Sequence, residues 1–190
     1  MKTKKIRFKL VMILVGALFL MGFSTAQAAP TVRLDPSNNF VALGIDNLNV
    51  NGTLYNVDFI FTDADQLYGS SGNKVFDFTS DAAANSAVDA AVAALNDYNG
   101  TSLFDVMLVG NRKPNEDNFF IVGYNEDGGR TDYIQGFYST DTWVNDQPGD
   151  RLSFVNATYA DFNAVPIPGA VWLLGGGLIG LAGLRRRFKK

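Results

Sequence analysis

The sequence predicts an α+β domain, a mostly antiparallel twisted sheet of about five to seven strands with one long helix packed on it. Several short segments alternate apolar and polar residues with the period of two expected of a half-buried strand. Clusters of Gly, Asn, Asp and Pro separate them, and only one segment has helical spacing. One helix is too few for repeated β-α-β units, which favours antiparallel pairing. Apolar runs at both ends of the chain predict two flanking helices, an N-terminal signal helix and a C-terminal hydrophobic helix.

Residues 1–28 have the three parts of a secretory signal peptide. The basic stretch KTKKIRFK precedes an apolar run of 14 residues from Leu10 to Phe23. STAQAA then places Ala26 and Ala28 at the −3 and −1 positions of a cleavage site. The alternative is an N-terminal membrane anchor, but an anchor needs about 20 apolar residues. We therefore predict export, with cleavage by signal peptidase after Ala28.

Residues 29–164 are predicted to form one extracytoplasmic α+β domain. FVALGIDNLNVNGTLYNVDFIF is predicted to be a hairpin, because Asn51-Gly52 tolerates the positive φ angles of a type I′ turn. The helix is predicted in TSDAAANSAVDAAVAALNDYNG, with Thr79 or Ser80 as its N-cap. TDADQLYGSSGN is predicted to be a loop. Further strands are predicted in KVFDF, SLFDVMLVG, NFFIVGY, DYIQGFY and RLSFVNATY.

Residues 165–190 combine prolines, a short apolar run and a basic end. Val165-Pro166-Ile167-Pro168 is predicted to be extended, because proline cannot continue a helix. The uncharged run from Gly169 to Leu184 has 16 residues. As a helix it measures about 24 Å, which is shorter than the about 30 Å of a bilayer core. The membrane segment and its cytoplasmic stop contain Trp172, Gly175, Gly176, Gly177, Arg185, Arg186 and Arg187.

This order of features resembles the C-terminal sorting signal of the PEP-CTERM family. The matching features are Val165-Pro166-Ile167-Pro168, the Trp-Leu-Leu-Gly-Gly-Gly run and the terminal Arg cluster. The usual Pro-Glu-Pro is here Pro-Ile-Pro, a variant with an apolar middle residue. The resemblance implies that an exosortase processes the tail at the inner membrane, after which the protein reaches the cell surface or the extracellular matrix. The alternative is a permanent C-terminal anchor.

Charge and composition exclude several classes of function. The 190-residue chain has a net charge of −3, but residues 29–164 hold all 19 carboxylates and six Lys and Arg, a net charge of −13. Such a domain repels nucleic acid, which proteins bind through Lys and Arg. The absence of Cys and His removes thiol nucleophiles, thiolate and imidazole metal ligands and the commonest general base. We predict a non-catalytic protein without a cofactor.

Three acidic residues are candidates for a calcium site. Asp63 and Asp65 resemble the start of an EF-hand loop, but the Gly and Glu needed at its sixth and twelfth positions are Tyr68 and Lys74 here. Asp127 lies in NEDGG, which resembles a repeat-type calcium turn. Such turns work as arrays, and this one occurs once. A tight turn between two strands explains it without a metal.

The sequence thus predicts an exported, non-catalytic surface or extracellular-matrix protein, with exopolysaccharide as a candidate partner. One alternative is a secreted calcium- or carbohydrate-binding module. The other is a hydrolase with a carboxylate pair, whose separation is a spatial quantity. Glu116, Glu126 and nearby Asp residues are the candidates for that pair, but they lie in turn-like runs that are typical of a solvated face. Aromatic residues would form the carbohydrate surface of such a module, namely Tyr68, Tyr124, Tyr133, Tyr138 and Trp143. At strand spacing, however, aromatic residues are more often buried.

Overall fold

A computed structural model describes residues 28–110, 117–128, 130–146 and 156–166. The two predicted terminal helices lie outside these residues, as do Ala26 of the cleavage site and the tail from Ile167 onward. Of the helices within the described ranges, none combines the length and the hydrophobicity that crossing a membrane requires.

The described residues form one sheet and two helices. The sheet has the strand order β1-β2-β3-β8-β5-β6-β7, and β4 pairs with β2 outside this path. The strands are β1 (Thr31–Asp35), β2 (Asn38–Val50), β3 (Thr53–Thr62), β4 (Leu108–Val109), β5 (Phe119–Asp127), β6 (Arg130–Ser139), β7 (Thr142–Asp146) and β8 (Ala157–Ala164). The helices are α1 (Ala64–Tyr68) and α2 (Asp81–Thr101). The domain is therefore α+β with one long helix, as predicted, and its eight described strands exceed the predicted five to seven.

The sheet is mixed, because two of its strand pairs are parallel. β4 runs parallel to β2, and β5 meets β8 in parallel at the single pair Ile121–Tyr159. The other neighbouring pairs are antiparallel. β4 also reaches the start of β5 through the bridge Val109–Asp117. The pairings β2-β3-β8-β5-β4 thus return to β2, and the sheet curls.

Two turns in the left-handed backbone region join neighbouring strands. The β2–β3 turn is the predicted one, with φ of 50° at Asn51 and 90° at Gly52. The β6–β7 turn has φ of 53° at Thr140 and 63° at Asp141. A β-branched residue is unusual in this region. Thr140-Asp141 is not a recognised turn pair, so β7 was not predicted.

Helix α2 covers one face of the sheet. It begins at the predicted N-cap, where Ser80 Oγ accepts a hydrogen bond from the Ala83 N–H at 3.3 Å. Its buried stripe consists mostly of alanine, so the helix approaches the strands closely. The stripe is Ala84, Ala87, Val88, Ala91, Ala94 and Leu95. The strand residues packed against it include Val57, Phe59, Phe120, Ile134 and Trp143.

The second face is partly covered by residues 63–78. Tyr68 of α1 packs there with Ile121, Tyr133 and Tyr159. α1 itself lies inside TDADQLYGSSGN, which the sequence predicted to be a loop. Five residues with Asp63 as N-cap are too few to show a helical period in the sequence.

The prediction of a strand in KVFDF is wrong. Residues 74–78 pair with no described strand. Their aromatic side chains nevertheless alternate between the two faces of the sheet. Phe76 packs with the cluster around α1, whereas Phe78 packs with the core under α2. The chain passes from one face of the sheet to the other here. The alternation of the aromatic residues therefore reflects the passage of the chain between the two faces, and not a strand.

Two other strand predictions change markedly in extent, and a further strand was missed. In SLFDVMLVG only Leu108–Val109 is a strand, and Leu103 is 95% exposed. The last strand continues past NATY to Ala164, while residues 151–155 lie outside the described ranges. β1 was not predicted at all. Its five residues are too few to establish alternation without their partner β2.

Candidate functional site

Both ends of the domain leave the sheet at the end where β2 and β3 join. At the N-terminal side, Thr31 of β1 is paired with Asp46 late in β2. At the C-terminal side, Ala164 of β8 is paired with Tyr55, which itself lies opposite Leu48. The segments that carry the two predicted processing signals therefore attach to the same end of the domain.

The β3–β8 ladder ends within the predicted sorting motif. The Val165 N–H donates to the Leu54 carbonyl at 2.8 Å, which extends the ladder by one residue. Pro166, the next residue, belongs to no described strand. Val165 is half-buried and Pro166 is exposed. Pro166 is thus the residue at which the chain leaves the sheet.

Of the predicted cleavage residues, Ala28 is described and is exposed together with Ala29 and Pro30. The remaining residues of the two signals lie outside the described ranges. They are Ala26, Ile167, Pro168, Trp172, Gly175, Gly176, Gly177, Arg185, Arg186 and Arg187.

The calcium candidates on α1 have partners within the protein. Asp63 caps α1, and its Oδ1 accepts from the Gln66 N–H at 2.7 Å. Asp65 Oδ1 lies 3.1 Å from Lys74 Nζ. Asp127 lies at the end of β5, in register with Arg130 across the β5–β6 turn. Within the described ranges, no group of three or more acidic residues has an arrangement that could hold a metal ion.

Lys74 joins the loop after α1 to the β5–β6 hairpin. Its Nζ lies 3.1 Å from Asp65 and 3.3 Å from Glu126 Oε1. Glu126 also accepts from Ser71 Oγ and from the Gly72 N–H, both at 2.8 Å. We call Asp65, Ser71, Gly72, Lys74 and Glu126 the loop clasp. Glu116, the other candidate for a carboxylate pair, lies outside the described residues.

The charges in the loop clasp stabilise one another. Hydrogen bonds from the Gly72 N–H, then from Ser71 and Lys74, hold the pKa of Glu126 below its usual value. Burial by itself lowers the pKa of Lys74, but its bonds to Asp65 and Glu126 outweigh burial and raise it. Both groups therefore stay charged at neutral pH. The Glu126 carboxylate is engaged in holding a loop.

The crossing of residues 69–78 lies where β5 and β8 separate. On the β5 side, the Gly123 N–H donates to the Tyr68 hydroxyl at 3.2 Å. On the β8 side, the Phe162 N–H donates to Asp77 Oδ2 at 3.3 Å. A Cβ on Gly123 would lie 2.9 Å from the Tyr68 ring, so a larger residue does not fit. Two side chains thus satisfy strand N–H groups that have no neighbouring strand.

Burial dominates the pKa shifts near this crossing. Burial raises the pKa of Asp77, and the negative charge of Asp161 adds to this rise. The hydrogen bond from the Phe162 N–H acts in the opposite direction but does not cancel it. Burial likewise raises the pKa of Tyr68, and it raises that of Tyr159 to about 12. These tyrosines are neutral hydrogen-bonding groups at neutral pH.

Arg33 is the cation on the outer face of β1. Its Nε lies 2.9 Å from Asp46, and its Nη2 donates to Asp58 and to the Val57 carbonyl. A Cβ on Gly44 would clash with the Val57 carbonyl oxygen, a backbone atom that cannot move aside, so glycine is required here. Partial burial by itself lowers the pKa of Arg33. The hydrogen bond and charge of Asp58, followed by those of Asp46, outweigh burial, so the pKa is raised above its usual value. Arg33 holds β1, β2 and β3 together.

The aromatic residues considered for a carbohydrate surface do not form an exposed strip. Trp143, Tyr68 and Tyr133 are buried, with 1%, 5% and 6% exposure. Tyr124 and Tyr138 are half-buried and pack against the core. The indole N–H of Trp143 donates to the Val106 carbonyl at 2.8 Å. These side chains stabilise the interior.

Two asparagines of α2 bind backbone groups, one in edge strand β7 and one in the segment before β4. Asn96 accepts from the Trp143 N–H and donates to the Trp143 carbonyl, both at 2.8 Å, on edge strand β7. Asn99 makes the same pair of bonds with Val106, at 2.7 and 3.1 Å. Sequence analysis did not identify these roles. The sequence feature that links the two asparagines is their spacing of three residues, which places them on the same face of α2.

An exposed apolar patch lies at the opposite end of the sheet from Thr31 and Ala164. Phe40 and Phe104 meet edge to face at 5.9 Å, and they are 41% and 49% exposed. Met107 donates its N–H to the Phe40 carbonyl, and Leu103 is almost fully exposed. Contiguous exposed apolar side chains are typical of interaction surfaces.

The comparisons with known proteins give no relative: no protein-family model, no curated protein and no solved structure matches this chain.

Proposed function

We propose that this chain is an exported, non-catalytic protein of the cell surface or extracellular matrix. Its residues 165–190 act as a PEP-CTERM-like sorting signal, which an exosortase-type enzyme reads. The protein is anchored transiently in the inner membrane and is released when the tail is cut. Exopolysaccharide is its proposed partner in the matrix.

The observation that carries this proposal is the three-part tail, with its prolines, short apolar run and basic end, in a chain that begins with a signal peptide. The apolar run from Gly169 to Leu184 is shorter than a stable span should be. Arg185, Arg186 and Arg187 favour a cytoplasmic end by the positive-inside rule. Such a segment holds the protein at the membrane long enough to be processed, but not permanently.

The end of the β3–β8 ladder supports the same proposal. The last sheet bond, from the Val165 N–H to the Leu54 carbonyl, leaves Pro166 exposed at the domain boundary. A processing enzyme needs an accessible, extended chain. Proline keeps its neighbours extended without ladder bonds. A cut near Pro166 would also leave the described part of the sheet intact.

The test is the double variant Pro166→Ala/Pro168→Ala in the producing organism. We expect it to remain as an uncut precursor in the inner membrane, while the wild type loses the segment from about Pro166 onward with every terminal Arg. Intact mass and membrane fractionation measure both results. Pro36→Ala is the matched control, because Pro36 is an exposed turn proline far from the tail.

A permanent anchor predicts a different result. Two substitutions outside the apolar run hardly change its insertion, so the double variant would match the wild type, which would itself keep its full tail. Maturation of the double variant like the wild type would refute the sorting-signal proposal. Neutral residues in place of Arg185, Arg186 and Arg187 should instead impair membrane retention before cutting.

A further inference from the structure

A depression of about 160 Å³ lies between the start of the domain and the last two turns of α2. Pro30, Thr31 and Val32 line one side of it. Asp97 and Tyr98 are among the residues of α2 that line the other. We call it the amino-terminal pocket. It is polar, exposed to water and adjacent to the predicted cleavage site after Ala28.

The electrostatic potential in the amino-terminal pocket favours a cation. Asp97 contributes a carboxylate, and among the described residues no Lys or Arg pairs with it. The C-terminal end of a helix carries a partial negative charge, which Lys, Arg or another cation stabilises. The last turn of α2 contains no basic residue. A 21-residue helix therefore ends beside a carboxylate without the cation that usually accompanies such an end.

Signal-peptide removal would create a cation at this place. In the precursor the nitrogen of Ala29 is an uncharged amide. After a cut at Ala28 it becomes an α-ammonium, which is mostly charged at neutral pH because an α-amino group titrates near about 7.7–8.0. Ala29 directly precedes Pro30, and consecutive Cα atoms are about 3.8 Å apart. The new charge therefore lies at the rim of the pocket.

We propose that the α-ammonium of Ala29 docks in the amino-terminal pocket of the mature protein and pairs with Asp97. The inference rests on the proposed signal-peptide cleavage. Processing would then complete the end of α2, and the precursor would lack this ion pair. The role of Asp97 is to bind the terminus that cleavage creates.

The experiment compares the exported wild type with its Asp97→Asn variant, both produced from the full-length chain. N-terminal sequencing first identifies the terminal residue. The rate at which the α-amine is acylated is then followed by mass spectrometry between pH 6 and 9. We expect Asp97→Asn to lower the apparent pKa of the α-amine by about 0.5–1 unit, which is about a three- to tenfold faster acylation at pH 7.

Two further variants separate docking from unrelated effects. Asp97→Glu keeps the charge and should react as slowly as the wild type. Asp105→Asn removes an exposed carboxylate that does not line the pocket, and it should also match the wild type. Asp97 is exposed, so its replacement does not endanger the fold.

The failures of the two proposals are distinguishable. Identical acylation profiles for wild type and Asp97→Asn, with Ala29 at the terminus, would overturn docking and leave the cleavage proposal intact. A terminus other than Ala29 would overturn the predicted cleavage, and the docking inference with it.

Discussion

The two faces of the sheet are covered in different ways. On one face a single helix of 21 residues packs a stripe of small side chains over a continuous apolar core. On the other face residues 63–78 cover β5, β6 and β8, and they are held by the loop clasp and by side-chain bonds to strand N–H groups. The ion pairs of Arg33 lie on the uncovered part, over β1, β2 and β3.

This difference separates two sources of stability. Burial of apolar area is worth about 25 cal/mol per Å², and it acts over the whole helix-covered face. Exposed ion pairs are worth at most about 1 kcal/mol each, so the loop-covered face depends mainly on its few buried aromatic residues. The helix-covered face should therefore dominate unfolding, while the loop-covered face should open locally at lower cost.

Phe120→Ala and Phe119→Ala compare the two faces directly, and the first should have the largest effect of all. Phe120 is fully buried under α2, with its ring 5.1 Å from that of Phe59, and the cavity should cost about 3–5 kcal/mol. Phe119 is half-buried on the opposite face and should cost about 1–2 kcal/mol. Urea unfolding followed by circular dichroism measures both. Equal losses would contradict the stated difference between the faces.

Asn96→Ala tests how α2 protects edge strand β7. It removes two bonds of 2.8 Å to Trp143 and leaves both backbone groups without them. We expect a loss of about 1–2 kcal/mol, since unsatisfied groups cost about 1–3 kcal/mol and Ala gains part of that back in helix propensity. Asn96→Asp is the matched control. It keeps the acceptor for the Trp143 N–H and should lose less. Wild-type stability in Asn96→Ala would show that water replaces the side chain.

Lys74→Met tests the loop clasp. The ion pair with Asp65 is screened because the Asp65 side chain is 62% exposed, and Glu126 keeps its bonds from Ser71 and Gly72 when Lys74 is removed. We therefore expect a global loss of about 1 kcal/mol. The local effect should be clearer. Exchange of the Gly72 amide hydrogen, which is bonded to Glu126, should accelerate, while amides in the middle of α2 should not change. Uniform acceleration across both faces would mean that the loop does not open independently.

Asp77→Asn should have the smallest effect, with a sign that depends on pH. Burial raises the pKa of Asp77, so its contribution to stability is present below the ordinary value of 3.8 and is lost as the pH rises through the raised value. Asn can still accept from the Phe162 N–H. We expect a thermal midpoint about 1–3 °C above the wild type at pH 7 and a difference that vanishes near pH 3.

Glu126→Gln is the matched opposite of that variant. The pKa of Glu126 is lowered, so its contribution is present above the ordinary value of 4.5 and is lost as the pH falls through the lowered value. Its thermal midpoint should lie below the wild type at pH 7 and approach it in acid. Parallel pH profiles for the two variants would contradict both assignments.

The elements that carry a local signal were predicted from the sequence. Helix α2 was confirmed, because a helix of about six turns repeats its apolar pattern several times. The Asn51-Gly52 turn was confirmed because its two residues have an intrinsic tolerance of positive φ. β7 was missed because Thr140-Asp141 has no comparable preference.

The candidate sites also differ in whether a local pattern in the sequence predicts them. The two predicted processing signals depend on linear order, so the sequence alone predicts them. The structure adds that the β3–β8 ladder ends at Val165. The loop clasp joins Lys74 to Glu126, 52 positions apart. No local pattern encodes such a contact.

The sequence by itself determined the class of the domain, its one long helix, its acidic charge and the prediction of export, because each follows from composition or from a repeat within a few residues. The tertiary structure decided which carboxylates have partners, where the chain crosses the sheet and which face each aromatic residue joins. Asp65 and Asp77 are both acidic residues near α1, yet one pairs with Lys74 at the surface and the other binds a strand N–H in the gap between β5 and β8. The physical reason is that ion pairing and burial depend on distances between residues far apart in the chain, and only the packing of the whole sheet sets those distances.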